Sequence, residues 1–131
     1  MVFGTFDLLH PGHEFVLREA MKLGRVTIVV ARAENVLRMK GRAPTESDAE
    51  RCAALRKAFP EGNILLGDAK DFLVPVLSIA PDLILLGYDQ KLPPGVTEQD
   101  LHPAVIERLP AFKPRQFKSS LLREAKKSTM S

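Results

Sequence analysis

Two histidines near the start of the chain are the residues best placed to do chemistry. His10 and His13 stand three positions apart, with Pro11 and Gly12 between them. Proline suits the first turn of a helix, where its missing N–H is not needed, so a helix is predicted to begin near Pro11. Side chains three positions apart lie on one side of a helix, here beside unpaired N–H groups and the positive end of the helix dipole. The pattern therefore predicts an anion site.

The residues around the histidines indicate which anion would bind. The two residues before Gly4 are apolar and predict the end of a buried strand, and Gly4 itself permits a close turn. Gly12 has no side chain to obstruct a phosphate that approaches the backbone. A zinc site is disfavoured, because Cys52 and His102 show no ligand spacing. The favoured ligand is a polyphosphate.

Strand and helix patterns alternate along the rest of the chain. Short apolar runs predict strands over 2–3, 25–31, 64–66 and 83–86, and amphipathic patterns predict helices over 14–23, 45–59, 71–80 and 97–109, with a last helix from about Ser119. Two of these helices open with Thr-x-x-Asp, a capping pattern, at Thr45 and Thr97. The alternation predicts an α/β fold, a doubly wound parallel sheet with helices on both faces, in one domain over 1–131.

The composition of the chain limits the kinds of ligand and partner that are expected. The 131 residues carry a formal charge of +3, which favours anionic ligands without requiring nucleic acid. Cys52 is the only cysteine, so no disulfide framework is predicted. No apolar run approaches membrane-spanning length, and a strand at the first residues leaves no room for a signal peptide. We therefore expect a cytoplasmic protein without a membrane partner.

Two motifs at opposite ends of the chain carry a resemblance to a known family. Gly-Thr-Phe-Asp at 4–7, followed by His-Pro-Gly-His at 10–13, resembles the signature of the HxGH nucleotidyltransferase superfamily in its cytidylyltransferase-like branch. Lys-Ser-Ser-Leu-Leu-Arg at 118–123 resembles the second signature of the superfamily. The resemblance implies a Rossmann-like fold and direct attack of an acceptor phosphate on the α-phosphate of a nucleoside triphosphate, with release of pyrophosphate.

The resemblance also implies roles for single residues. In it, His10 and His13 contact the triphosphate in the transition state, and Lys40 and Arg123 join them as catalytic cations. The nucleotide site would comprise Gly4, Thr5, Phe6, His10, Gly12, His13, Asp89, Ser119, Ser120 and Arg123. Asp7 would either order its loop or contact the acceptor. Magnesium (Mg2+) would accompany the nucleotide, held by phosphates and water.

Two central segments indicate the acceptor. Gly-Tyr-Asp-Gln at 87–90 resembles the archaeal-type FAD synthase (FMN adenylyltransferase) subgroup, which places Asp89 against the ribose hydroxyls or the metal. The stretch 31–42 resembles the basic loop of that subgroup, with Lys40 and Arg42 on the acceptor phosphate. The implied reaction joins FMN to ATP or CTP. A cytidylyltransferase acting on a small phosphorylated alcohol or sugar, such as glycerol 3-phosphate, and a nucleotide-binding module without turnover stay open, and the resemblance is compatible with a homodimer.

Overall fold

Five parallel strands form the centre of the molecule in the order β3-β2-β1-β4-β5. The computed structural model describes residues 1–88 and 90–110. The elements, in chain order, are β1 Val2–Gly4, α1 Pro11–Met21, β2 Thr27–Val30, α2 Ala33–Lys40, α3 Asp48–Ala58, β3 Asn63–Leu66, α4 Leu73–Ile79, β4 Leu83–Leu86, a 3₁₀ helix Glu98–Leu101 and β5 Val105–Arg108. The predicted α/β class and parallel sheet are confirmed, while the extent of the domain to residue 131 stays a prediction.

Alternation along each strand assigns side chains to the two faces of the sheet. Val2, Ile28 and Leu85 pack with residues of α1 and α3 in one apolar cluster. Phe3, Val29 and the side chains flanking Leu85 pack with α4 and the 3₁₀ helix in a second cluster. The sheet is thus covered on both faces, as the sequence predicts.

The strand order reverses direction at β1. The chain first builds outward through β2 to β3, and then crosses back through α4 to place β4 on the other side of β1. In open parallel sheets, ligands bind beyond the carboxyl ends of the strands at such a reversal. The loops after β1 and β4 are therefore the ones that the fold places at a binding crevice.

The predicted helix over 97–109 is wrong. Thr97 does act as a cap, since its hydroxyl accepts a hydrogen bond from Asp100 N, but the helix that it opens is the short 3₁₀ segment. Pro103 has no N–H with which to continue a helix, and Val105 to Arg108 pair instead with β4. The second half of the predicted helix over 97–109 is thus the fifth strand, β5.

Two further corrections concern the stretch between β2 and α3. The segment predicted as a basic loop contains helix α2, which ends where Gly41 adopts a left-handed conformation with φ 77°. Helix α3 is capped by Ser47 and Glu50 rather than by the Thr-x-x-Asp pattern at Thr45. The backbone of Thr45 is engaged elsewhere, as described below. No helix within 1–88 and 90–110 is long and apolar enough to cross a membrane.

Candidate functional site

The turn between β1 and α1 has a strained backbone around a buried ring. Phe6 and Leu8 both adopt positive φ values, 52° and 51°, which side-chain-bearing residues rarely do. The Phe6 ring is buried against the end of β1, and a Cβ added at Gly4 would lie 2.8 Å from two of its carbon atoms. A larger residue at position 4 would therefore have to displace the buried Phe6 ring. Such strain is characteristic of functional sites.

His10 and His13 cap helix α1 reciprocally. The N–H of Gly12 donates to His10 Nδ1 at 3.1 Å, and the N–H of His10 donates to His13 Nδ1 at 3.3 Å. The two rings are stacked with centroids 3.7 Å apart, and the Phe6 ring meets His13 edge-on at 5.5 Å. A ring nitrogen that accepts a hydrogen bond carries no proton, so these bonds assign the hydrogen of each neutral ring to Nε2. Each histidine thus keeps one N–H donor for a ligand.

The charge state of His13 follows from its surroundings. Burial lowers the pKa of His13 to about 4, the neighbouring His10 adds to this effect, and the Asp7 carboxylate opposes it. The apo protein therefore holds His13 neutral at pH 7. At the start of α1, an anion would meet the neutral Nε2–H donor of His13 at the positive end of the helix dipole.

Asp7 joins this turn to a distant segment. Its two carboxylate oxygens accept hydrogen bonds from the N–H groups of Thr45 and Glu46, at 2.8 and 2.9 Å. These bonds lower the pKa of Asp7 below its usual range. In return, the Glu46 carboxylate accepts the N–H of Leu8 at 2.9 Å. Of the two roles expected for Asp7, these contacts favour ordering of the loop.

A buried arginine, Arg51 of α3, adds to the bonds that join the β1–α1 turn to residues 45–51, and we call this set of bonds the clamp. Its guanidinium donates to the carbonyls of Thr5 at 3.0 Å, Ala31 at 2.6 Å and Glu46 at 3.2 Å, and it pairs with Asp48. The side chain is fully buried. Arg51 therefore holds the ends of β1 and β2 and the Glu46 segment together.

The structure brings the N-terminal candidates together and separates others from them. The structure places six of them between the end of β1 and the first turn of α1: Gly4, Thr5, Phe6, His10, Gly12 and His13. Lys40 is exposed in the last turn of α2, and Arg42 is exposed two residues beyond it. The predicted roles of Asp89, Ser119, Ser120 and Arg123 concern residues outside the described ranges.

Sequence reasoning missed two residues that shape this region, Arg51 and Gln90. Arg51 lies in a helix with other cations, and nothing local distinguishes it from exposed Arg56. Gln90 enters the sequence analysis only as the last residue of the Gly-Tyr-Asp-Gln motif, yet its side chain bonds to Phe3 of β1 and to Gly87, the residue directly after β4. The position of that motif directly after an apolar strand was the one available signal.

The donor groups of the turn suit an anion rather than a resident metal. Among the described residues, no group of three or more His, Cys, Asp or Glu side chains is arranged to hold a metal ion. The Asp7 oxygens are both engaged by backbone N–H groups. The turn offers nitrogen donors carrying hydrogen, which bind phosphate oxygens.

Comparison with known proteins agrees with this geometry. A family model described as cytidylyltransferase-like matches residues 1–128. The FAD synthase of Halomicrobium mukohataei is 46% identical over 88 residues, which are 66% of this chain and 60% of that protein. The FAD synthase of Methanosphaerula palustris is 45% identical over 75% of this chain and 63% of its own length. The FAD synthase of Methanosarcina mazei is 38% identical over 84% of this chain and 75% of its own length. The chain thus spans about three fifths of the first two relatives.

A solved structure gives the same result for the fold. The crystal structure of the lipopolysaccharide core biosynthesis protein from Thermoplasma volcanium matches with a TM-score of 0.77 at 31% identity, covering 86% of this chain and 96% of that one.

The fold and the site together define a class of protein: a parallel α/β domain in which a helix begins with His-x-Gly-His at the reversal of strand order. Within that class, the chain belongs to the cytidylyltransferase-like family, and the predicted relationship to the HxGH nucleotidyltransferases and the archaeal FAD synthases is confirmed.

Proposed function

We propose that this protein is an FMN adenylyltransferase, which joins FMN to ATP, or to CTP with a cytidine product, and releases pyrophosphate. The observation that carries the proposal is the pair of Nε2–H donors at the start of α1, in a chain similar to several FAD synthases. An FMN phosphate oxygen attacks the α-phosphorus, and the bond from that phosphorus to the bridging oxygen of pyrophosphate breaks. No covalent enzyme intermediate is required.

The histidines would act by stabilising charge on phosphate oxygens. As attack proceeds, negative charge accumulates on oxygens of the α-phosphate and of the leaving pyrophosphate. Donors that are already oriented stabilise this charge without reorganisation, and each is worth on the order of a hundredfold in rate. The reciprocal cap orients both rings before substrate arrives, because each Nδ1 is already occupied by a backbone N–H. We assign the α-phosphate to this donor pair, which stands at the positive end of the α1 helix dipole.

Cations from other segments would complete the site. Arg42 lies three residues before Thr45, which bonds to Asp7, so at most about 10 Å of chain separates it from the histidine turn. This reach supports Arg42, with Lys40, as the groups that bind the acceptor phosphate. Only the sequence pattern supports the remaining roles. In these, Ser119, Ser120 and Arg123 would bind the β- and γ-phosphates, and Asp89 would contact the ribose hydroxyls or the metal.

Magnesium would enter as part of the nucleotide substrate. Mg2+ takes oxygen ligands and commonly keeps several waters when it accompanies substrate phosphates. The nitrogen donors of the α1 start would leave those phosphate and water ligands undisturbed. The homodimer, the cytoplasmic location and the absence of a nucleic-acid partner stay predictions.

The test is chromatographic detection of the flavin dinucleotide after incubation of the protein with FMN, magnesium and either ATP or CTP, with pyrophosphate measured in parallel. We expect pyrophosphate in an amount equal to FAD when ATP is the substrate, or equal to the cytidine analogue of FAD when CTP is the substrate. Pyrophosphate formed only with CTP and glycerol phosphate would replace the proposal by the cytidylyltransferase alternative. No pyrophosphate with any acceptor would refute nucleotidyl transfer.

Two histidine variants test the assigned role. His13→Ala should lower kcat by a hundredfold or more and change nucleotide affinity far less, because the donor acts on charge that develops in the transition state. His102→Ala is the matched control, since His102 is exposed beside the 3₁₀ helix. An unchanged rate in His13→Ala would remove His13 from the mechanism.

A further inference from the structure

The seam between β1 and β4 is shorter than the seams on either side of it. Strand β1 pairs with β2 over three residue pairs, and the N–H of Ala31 continues that ladder to the Gly4 carbonyl. Strand β4 pairs with β5 over four pairs, and the N–H of Leu109 continues that ladder. Strand β1 meets β4 in a single register pair, Val2 with Leu85. The Met1 N-terminus also donates to the Leu83 carbonyl at 2.7 Å, so the ladder is bonded at its amino end and stops after the Val2–Leu85 pair, short of the carboxyl ends of both strands.

A side chain occupies the place of the next backbone bond. The N–H of Leu85 donates to the Met1 carbonyl at 3.0 Å, so a continued parallel ladder would next join Gly87 N–H to the Phe3 carbonyl. Instead, Gly87 N–H donates to Gln90 Oε1 at 2.9 Å, and Gln90 Nε2 donates to the Phe3 carbonyl at 2.9 Å. One carboxamide group thus stands between two atoms that would otherwise bond directly.

The far side of β4 holds this arrangement in place. The guanidinium of Arg108, on β5, donates to the carbonyls of Gly87 at 3.0 Å and Gln90 at 2.5 Å. The backbone of the 87–90 turn is closed by a bond from Gln90 N–H to the Gly87 carbonyl at 3.2 Å. Gln90 is therefore fixed by its backbone on one side and by its amide on the other.

We propose that Gln90 is a positioning residue whose carboxamide acts as a spacer between β1 and β4, holding their carboxyl ends apart so that the nucleotide can enter between the loops that follow them. The identity of the ligand rests on the proposed function. The spacer satisfies both backbone groups that the separation of the strands would leave unpaired, so the crevice stays open without a bare N–H or carbonyl. Gln90 acts through the strand ends and is not assigned a contact with the substrate.

Two substitutions remove the spacer in different ways. Gln90→Glu keeps an acceptor for Gly87 N–H but replaces the Nε2 donor by an oxygen that faces the Phe3 carbonyl. Gln90→Ala removes the carboxamide, which frees Gly87 N–H to bond directly to Phe3 and close the seam. The same two changes at Gln99, which is exposed in the 3₁₀ helix, are the matched controls.

The measurement is calorimetric titration of each variant with magnesium and ATP, then CTP, without FMN. At about pH 8, Gln90→Glu should bind the nucleotide at least about tenfold more weakly than wild type. Once the pH is low enough to protonate the introduced carboxyl group, its O–H can donate to the Phe3 carbonyl, and the difference from wild type at the same pH should fall below about threefold. Gln90→Ala should bind weakly at both pH values while its Tm stays within about 3 °C of wild type, because the direct bond replaces the lost ones.

The outcomes separate this inference from the proposed function. Wild-type affinity in both Gln90 variants would overturn it. A fall in Tm with an unchanged Kd would also overturn it, since that result describes a residue needed only for folding. Failure of the wild-type protein to bind either nucleotide would instead refute the proposed function, and with it the ligand assigned to the crevice.

Discussion

Replacing Arg51 by methionine tests whether the buried guanidinium holds the candidate site together. The change removes the donor from three carbonyls and leaves Asp48 without its partner. We assign about 1 kcal/mol to each of the three carbonyls, because water can reach half-buried carbonyls, and about 1 kcal/mol to the lost ion pair with Asp48, which still accepts the N–H of Ala33, so the total is about 4 kcal/mol. The apolar contacts of the buried methionine side chain offset part of this cost, so the expected loss in the free energy of unfolding is about 3 kcal/mol.

Urea denaturation followed by circular dichroism measures this loss. For a slope of about 1.5 kcal/mol per molar urea, a loss of 3 kcal/mol moves the midpoint down by about 2 M. Arg56→Met, an exposed change on the same helix, should leave the free energy of unfolding within about 0.5 kcal/mol of wild type. Arg51→Lys keeps the positive charge but not the several N–H donors of the planar guanidinium, so its midpoint should lie between those of Arg51→Met and Arg56→Met. A midpoint for Arg51→Met within about 0.3 M of wild type would show that the clamp contributes nothing.

Two further changes test the turn itself. The pKa of His13 is lowered from 6.5 to about 4 on folding, so the unfolded state binds more protons between these values, and stability should fall as the pH drops from 6.5 to 4. For a fully buried ring this loss of stability would be about 3 kcal/mol, and solvent screening of the half-buried ring reduces it to about 1–2 kcal/mol. Urea titrations at each pH should show that His13→Gln lacks this pH-dependent loss. An equal pH dependence of stability in the variant and the wild type would contradict the lowered pKa of His13. Gly4→Ala should cost about 1–3 kcal/mol, because the new Cβ would lie 2.8 Å from the Phe6 ring. The control is Gly67→Ala, where the nearest atom is 3.6 Å away, and equal midpoints for the two glycine variants would refute the close-approach argument.

Local patterns in the sequence carried most of the fold and the centre of the site. The β-branched run in β2 and the His-Pro-Gly-His helix start depend on neighbours within a few positions, and the structure places both as predicted. The sequence pattern does not predict strand β5, because Val105 is exposed at an edge, where no alternation of buried and exposed side chains marks a strand. It also does not predict helix α2, because the Lys and Arg residues of this segment are equally typical of a loop.

Long-range partners were beyond the reach of the sequence. Arg51 donates to Thr5, which lies 46 positions earlier, and Gln90 donates to Phe3, which lies 87 positions earlier. The chemical type of these side chains permits an exposed position equally well, as Arg56 and Gln99 demonstrate. Only the folded arrangement of the strand ends determines which arginine and which glutamine form hydrogen bonds with them.

The bonds that join Asp7 and Leu8 to Thr45 and Glu46 also indicate where the chain tolerates changes in length. Residues 45–46 belong physically to the histidine turn, although 38 positions separate Thr45 from Asp7. Residues 42–43 are exposed, and an insertion there would extend outward without displacing the bonded segment. A deletion between Thr45 and Arg51 would move the Asp7 partners and the guanidinium relative to each other by a helical step. Natural variation in length is therefore expected before Thr45, where a longer segment could be adapted to different acceptors while the histidine turn keeps its geometry.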